Sequence, residues 1–257
     1  MKQEIDNPEH SSVVRAKASQ RKGRTGEINR VARVPTQERS RARYQAIISA
    51  TEEILQTSHI EDISLYDIAK KANIAPASVH YLFSTITAVH IELHRLYNDK
   101  LTEAVLENQR RIAKTQNPNW QEWLRFTMEE ARNRLNGDRA MSEIMLGPTL
   151  HRQIRKTNRL TNMAIGQVSL DVLRTYFLVP EIPNFERYFL YSTEITDAIW
   201  SGAYSLHGHI DDESFTESVR ASLAYLRCFL PETLHLKPEL ARPRSPDMPV
   251  DSSANSR

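Results

Sequence analysis

The chain has 257 residues, 40% of them hydrophobic, and a formal charge of +2 from 34 Lys or Arg against 32 Asp or Glu. That length holds a small module beside a larger one with its own core, and the single cysteine, Cys228, excludes an internal disulfide framework and suits a reducing cytoplasm. No apolar run approaches the roughly 18 residues that cross a bilayer, and the opening M-K-Q-E-I-D lacks the apolar stretch of a signal peptide, so a cytoplasmic protein with no membrane partner is expected.

The positive charge is gathered at one end. Residues 1–44 carry eleven Lys or Arg and five acids, a net +6, which leaves the rest of the chain at −4. Residues 1–35 are rich in Arg, Ser and Gln and poor in apolar side chains, the composition of a basic, disordered arm. Such an arm can follow phosphates or enter a minor groove; a solubilising tail has the same composition. From Pro35 a helix is expected to run to Leu55, with Tyr44, Ile47, Ile48, Thr51 and Leu55 along one face.

Ser64 to Phe83 reads S-L-Y-D-I-A-K-K-A-N-I-A-P-A-S-V-H-Y-L-F, two short helices joined by a tight turn. Leu65, Ile68, Ala69 and Ala72 share one face of the first, and Val79, Leu82 and Phe83 one face of the second. Asn73, between them, tolerates the left-handed backbone that a sharp turn demands. Pro76 falls in a first helical turn, where its missing N–H costs nothing. Pro76, Ala77, Ser78, His80 and Tyr81 are left near the exposed start of the second helix, where side chains meet base edges and phosphates if the helix enters a major groove. An ordinary helical hairpin is the alternative. Ser84-Thr85 then caps a long helix from about Ile86 to Asn108.

Asp67-Ile68-Ala69, the run Ser78-Val79-His80-Tyr81-Leu82-Phe83 and Ser84-Thr85, set in three short helices followed by a long one, resemble the TetR family of bacterial transcriptional regulators. The resemblance covers roughly residues 39–101. It implies an all-α fold with an N-terminal helix-turn-helix head over 36–92 and a helical ligand-binding and dimerisation domain over 93–236. It also implies a repressor that binds a palindromic double-stranded DNA operator as a homodimer and is released by a small-molecule effector. The residues expected at the DNA are Arg41, Arg43, Ser64, Lys70, Ala77, Ser78, His80, Tyr81 and Thr85. The departures are specific: Asn73 stands for the usual turn glycine, Leu82 for a frequent aromatic, and Ile86 for a lysine that approaches a phosphate. No Lys or Arg occurs between Lys71 and Arg95, so phosphate neutralisation falls to the arm, the first helix, Lys70 and Lys71. The missing cations also favour a rival, a helical ligand- or protein-binding module with a degenerate head.

Beyond the head, Asn117-Pro118-Asn119 starts a helix over Trp120 to Asn136, ended by Gly137-Asp138. Ala140 to Leu146 forms a short helix stopped by Gly147-Pro148, and a long one runs from Thr149 to Leu178. Asn184 to His207 and Glu213 to Leu230 follow as a pair, and residues 237–257, rich in Pro and Ser, read as a disordered tail. The last two helices carry apolar stripes, Phe185, Tyr188, Phe189, Ile195 and Ile199 on one, Phe215, Val219, Leu223, Leu226 and Leu230 on the other. The resemblance implies that this pair docks on its two-fold mate as a four-helix bundle; packing within the chain would use the same stripes.

The resemblance also places an effector cavity among the middle helices, with Trp123, Phe126, Met128, Met145, Met163, Tyr176 and Trp200 as candidate lining; ordinary core packing uses the same residue types. Arg152, Arg155, Lys156 and Arg159 follow one helical face, as an anion contact or a solvated surface would. Catalytic signals are poor. Ser19-Gln20-Arg21-Lys22 lies in the arm, His207 and His209 with Asp211 and Asp212 read as a capped loop rather than a metal site, and Cys228, expected on a buried helical face, has no evident base. No enzyme, cofactor or metal is expected.

Overall fold

The computed structural model describes residue 32, residues 37–112, 119–148 and 152–238, and residue 240. The basic arm apart from Ala32, the helix starts at Pro35 and Thr149, and the C-terminal tail apart from Lys237, Pro238 and Leu240 lie outside the described residues. The helical periodicity of the sequence becomes α1 (Glu38–Leu55), a 3-10 turn (Ile60–Asp62), α2 (Leu65–Lys71), α3 (Pro76–Leu82), α4 (Ile86–Ile112), α5 (Trp120–Gly137), α6 (Arg139–Met145), α7 (Arg152–Tyr176), α8 (Phe185–His207) and α9 (Asp212–Leu226). The fold is all-α. Its extended pairing, among the described residues, is a single bridge between Phe177 and Leu236.

Short polar side chains set the helix starts. Asn119 accepts from the Glu122 N–H at 2.6 Å, Asp138 from Met141 at 3.2 Å and Asp211 from Ser214 at 2.8 Å, each satisfying an orphan first-turn donor. Asp138 both closes α5 and opens α6. After α6 only glycine passes, because a Cβ on Gly147 would lie 2.2 Å from the Glu143 carbonyl oxygen. Gly208, at φ 71°, ends α8 by donating to the Tyr204 carbonyl at 2.8 Å.

One apolar core runs through the molecule, from Ile47, Ile48 and Leu55 on α1 through Phe83, Leu93, Tyr97, Trp120 and Leu170 to Phe185 and Leu226. The boundary expected at residues 92 and 93 therefore falls inside α4, which runs unbroken from the head into the larger bundle. There α7 packs on both α4 and α8, and α8 on α9. Gly166 brings α7 close to α8, since a Cβ there would lie 3.0 Å from the Leu190 nitrogen.

The ends of two helices differ from the sequence expectation. α7 stops at Tyr176 rather than Leu178, because the next residues pair with the C-terminal segment: Leu178 N–H donates to His235 O at 2.8 Å and Lys237 N–H to Tyr176 O at 2.9 Å. α9 stops at Leu226 short of Leu230, and the following turn leaves Cys228 exposed rather than on a buried helical face. Leu226, expected at an interface between copies, is 0% exposed within its own chain, whereas Leu223 is half-buried. Among the described residues no helix is long and apolar enough to cross a membrane.

Candidate functional site

The head is built by its caps and one turn. The Ser64 oxygen accepts from the Asp67 N–H at 3.3 Å while the Asp67 carboxylate accepts from the Ser64 N–H at 3.0 Å. The Ser64 hydroxyl, then its N–H, holds the Asp67 carboxyl below the usual range. Asn73 takes φ 53° after α2, with its N–H on Lys70 O at 3.3 Å and the Ile74 N–H on Ala69 O at 3.0 Å. This is a Schellman closure, and asparagine is among the few side-chain-bearing residues that adopt it readily. Val79, Leu82 and Phe83 bury the inner side of α3, while Ala77, His80 and Tyr81 face outward and Ser78 is half-buried.

These four DNA-contact candidates share one helix; the others are spread over its neighbours. Arg41 and Arg43 are exposed on the first turns of α1, and Lys70 is exposed at the end of α2. Lys71 pairs with Glu53 at 2.9 Å. Ser64 and Thr85 serve as helix caps, Thr85 accepting from the Ala88 N–H at 3.2 Å. Tyr66, which sequence reasoning passed over, is 67% exposed, comparable with Tyr81 at 62%. Its signal was an aromatic just outside the Leu65-Ile68-Ala69 stripe.

Two sets of contacts fasten the head to the bundle. Tyr44 stacks on Phe83 with ring centroids 5.6 Å apart and donates to Glu92 on α4, which Arg95 also grips at 2.8 Å. Burial, then the Glu92 bond and charge, pushes the Tyr44 phenol above its ordinary range. On the other side stands Glu143 of α6, only 1% exposed. It accepts from the Ile60 N–H at 3.0 Å and the Tyr204 hydroxyl at 2.7 Å, and lies 3.0 Å from His59 Nδ1. Gln56 donates to Asp138 at 3.0 Å, and Arg139 to the Gln56 carbonyl at 3.1 Å. The segment after α1 is thereby tied to α6, and through Tyr204 to α8.

A cavity of about 130 Å³ lies in the bundle. Of the candidate lining residues, Met128, Met145 and Trp200 border it. Trp123, Phe126, Met163 and Tyr176 are not among its described lining residues. Trp123 is buried in the core, Phe126 and Tyr176 are half-buried, and Met163 is 47% exposed on the outer face of α7. Helical spacing of aromatic and Met residues does not separate a cavity wall from packed core. The polar wall was missed: Asn162, Thr193, Thr196 and Asp197, with Glu130 also in the lining. Asp197 falls three residues before Trp200 on α8, and an acid at that position was the available signal.

Asp197 accepts from Asn158 Nδ2 at 3.0 Å. Burial pushes its carboxyl up to about 6 and Glu194 adds to this, against donation from Asn158 and Asn162. Asn158 Oδ1 lies 3.2 Å from His94 Nε2, and His94 Nδ1 lies 3.3 Å from the Thr161 hydroxyl. Burial holds His94 below the ordinary imidazole value, so it is neutral near pH 7. The basic residues in the first turns of α7, Arg152, Arg155, Lys156 and Arg159, are all exposed, and Arg159 pairs with Glu194 at 3.1 Å. Among the described residues, no three of His, Cys, Asp or Glu gather as a metal site would require.

No protein-family model matches the chain, and no curated protein matches it. Solved structures do. A TetR-family transcriptional regulator from Streptomyces coelicolor is similar with a TM-score of 0.57 at 17% identity, over 74% of this chain and 98% of that one. The fatty acid degradation regulator FadR from Bacillus halodurans gives 0.53 at 13% identity, over 72% and 96%. A TetR transcriptional regulator from Rhodococcus sp. RHA1 gives 0.51 at 16% identity, again over 72% and 96%. The chain has the TetR-type all-α fold that its head motif implies.

Proposed function

We propose that this chain is a DNA-binding transcriptional regulator, a repressor that binds a palindromic operator as a homodimer and is released when a small molecule fills the core cavity. The observation that carries this reading is the outward face of α3. Ala77, His80 and Tyr81 are exposed on a helix whose other side is locked by Val79, Leu82 and the Asn73 turn. A thymine methyl suits Ala77, a base edge suits His80, and phosphates suit Ser78 and Tyr81. One such helix gives little affinity, and a two-fold pair reads two half-sites about 34–36 Å apart or a multiple of it. For the pairing surface, α8 offers Ala198, Gly202 and Leu206 on one exposed face.

Release follows from α4. Its Glu92 is bonded to the head through Tyr44, and its Leu101 lines the cavity. A ligand that favours a different setting of α4 changes the separation of the two reading helices and so the fit to the operator. The rival reading, a binding module with a degenerate head, draws on the absence of Lys and Arg from residues 72–94. Fluorescence anisotropy with DNA from upstream of the chain's own gene separates them. Saturable binding, competed by the same DNA and poorly by random sequence, supports the regulator; a folded protein that binds both DNAs only weakly and alike favours the module.

A further inference from the structure

The cavity has two chemically different walls. Leu101, Leu124, Met128 and Trp200 give an apolar side, and Asn162, Thr193, Thr196 and Asp197 a polar one. No Lys, Arg or His is among its described lining residues, whereas two acids, Asp197 and Glu130, are. Asp197 is bonded by the neutral amide of Asn158 at 3.0 Å, and among the described residues no cation acts on it. Arg159, the basic residue beside Asn158 in sequence, pairs with Glu194 at 3.1 Å instead. Asp197 is half-buried, and a carboxylate drawn partly out of water is stabilised by pairing with positive charge, which no described residue supplies here.

We propose that the core cavity takes an amphipathic organic cation, a primary amine on an aromatic body, with its ammonium against the Asp197 carboxylate and its ring against Trp200 and Met128. The assignment rests on the regulator reading, in which this cavity holds the effector, and it names that effector's class. The ammonium supplies the missing charge, and the hydroxyls of Thr193 and Thr196 and the Asn162 carbonyl are acceptors for its remaining protons. An anionic ligand would meet two carboxylates and no cation. A neutral one would fill the apolar side and leave Asp197 unpaired. The volume, about 130 Å³, is near the roughly 150 Å³ of a dry cavity that accepts benzene, so the body of the ligand is limited to one aromatic ring. Asn158, which holds Asp197, also meets His94 on α4, so the ammonium site is one residue removed from the helix that carries the head.

Three probes of one size and three charges test this by calorimetry on the intact chain near neutral pH: phenethylamine, phenethyl alcohol and hydrocinnamate. The expected result is that the amine binds at least about tenfold tighter than the alcohol, a difference of about 1.4 kcal/mol, with hydrocinnamate weakest. Asp197→Asn should abolish the preference for the amine while leaving affinity for the alcohol in place. Equal affinity for amine and alcohol, tighter binding of hydrocinnamate, a preference that survives Asp197→Asn, or no binding of any probe at millimolar concentration would each overturn the assignment. The ranking on the unaltered chain decides the matter if the variant does not fold. Operator binding is measured separately without probes. Failure there removes the regulator reading and leaves the calorimetric ranking standing, and an absent amine preference with operator binding intact removes only the ligand class.

Discussion

His80 and Tyr81 are adjacent and both exposed on α3, yet the chemistry assigns them different partners. An imidazole can donate to or accept from a base edge, whereas a phenol at the rim of the helix suits a phosphate. His80→Ala is expected to relax sequence preference, and Tyr81→Phe to weaken binding to all sequences alike, both read by anisotropy on operator and random DNA. A Tyr81→Phe protein with altered base preference and unaltered overall affinity would reverse the assignment. Asp197 gives a prediction on stability. Its carboxyl is raised from 3.8 to about 6, so between those values the folded chain keeps a proton that the unfolded chain releases, and stability falls as pH rises through that window. The loss, complete above it, is on the order of 2–3 kcal/mol. Glu194 and Glu130 are the acids nearby, and among the described residues no Lys or Arg is among the groups acting on Asp197, so the sign stands. Asp197→Asn, which resembles the protonated form, should therefore raise the melting temperature relative to the unaltered chain at about pH 8 more than at about pH 4. A difference independent of pH would show that Asp197 ionises in the folded protein as it does in the unfolded one.

Among the elements, α6 does the most with the fewest residues, since Glu143 joins the turn after α1 to α8. Glu143→Ala leaves the Ile60 N–H and the Tyr204 hydroxyl, both in buried residues, without their acceptor, at about 1–3 kcal/mol each. Denaturant unfolding should show a loss of that size, and amide exchange at Ile60 should speed up more than exchange in α9. Uniform acceleration across both would mean that Glu143 supports the whole fold and not this junction. No sequence pattern announced the role, because Glu143 is one acid in a short helix and its hydrogen-bond partners lie 61 to 84 residues away. The helix-turn-helix was legible for the opposite reason. Its determinants, the Leu65-Ile68-Ala69 face, Asn73, Pro76 and the Val79-Leu82-Phe83 face, act within about twenty residues, so periodicity and turn chemistry fix them locally. The stripes of α8 and α9 were legible as apolar but not as to which side meets another copy. Leu226 is interior while Leu206, outside the stripe as read, is 80% exposed.

At the scale of the whole molecule, the proposed function requires a dimer and enough positive charge to hold DNA, and each requirement has its own test. On α8 a Cβ added at Gly202 would have no described atom within 4 Å, so Gly202→Glu should leave the monomer folded and place a charge in the proposed contact with the second copy. Sedimentation should give a dimer for the unaltered chain and a monomer for the variant, with operator affinity lost alongside. A monomer at micromolar concentration that still binds operator tightly would remove the dimer. The charge requirement follows from the uneven distribution along the sequence, +6 over residues 1–44 and −4 over the remainder, with no Lys or Arg from residues 72–94. Lys71 is already paired with Glu53. Phosphate neutralisation then falls mainly to Arg30, Arg33, Arg39, Arg41 and Arg43, with Lys70, and the slope of log K against log salt becomes shallower by about 0.9 for every phosphate left without its cation. Deleting residues 1–34 removes Arg30 and Arg33 while sparing α1. If both arginines bind phosphate, the shortened dimer leaves two phosphates per subunit unneutralised and the slope falls by roughly 3 to 4. Major-groove preference, set on α3, should change little, while any A·T preference flanking the half-sites should disappear with the arm. The measurement is operator binding by the full and shortened chains across a salt series. Superimposable slopes would mean that the first 34 residues serve only as a solubilising tail and that the phosphates are held by α1 and α2.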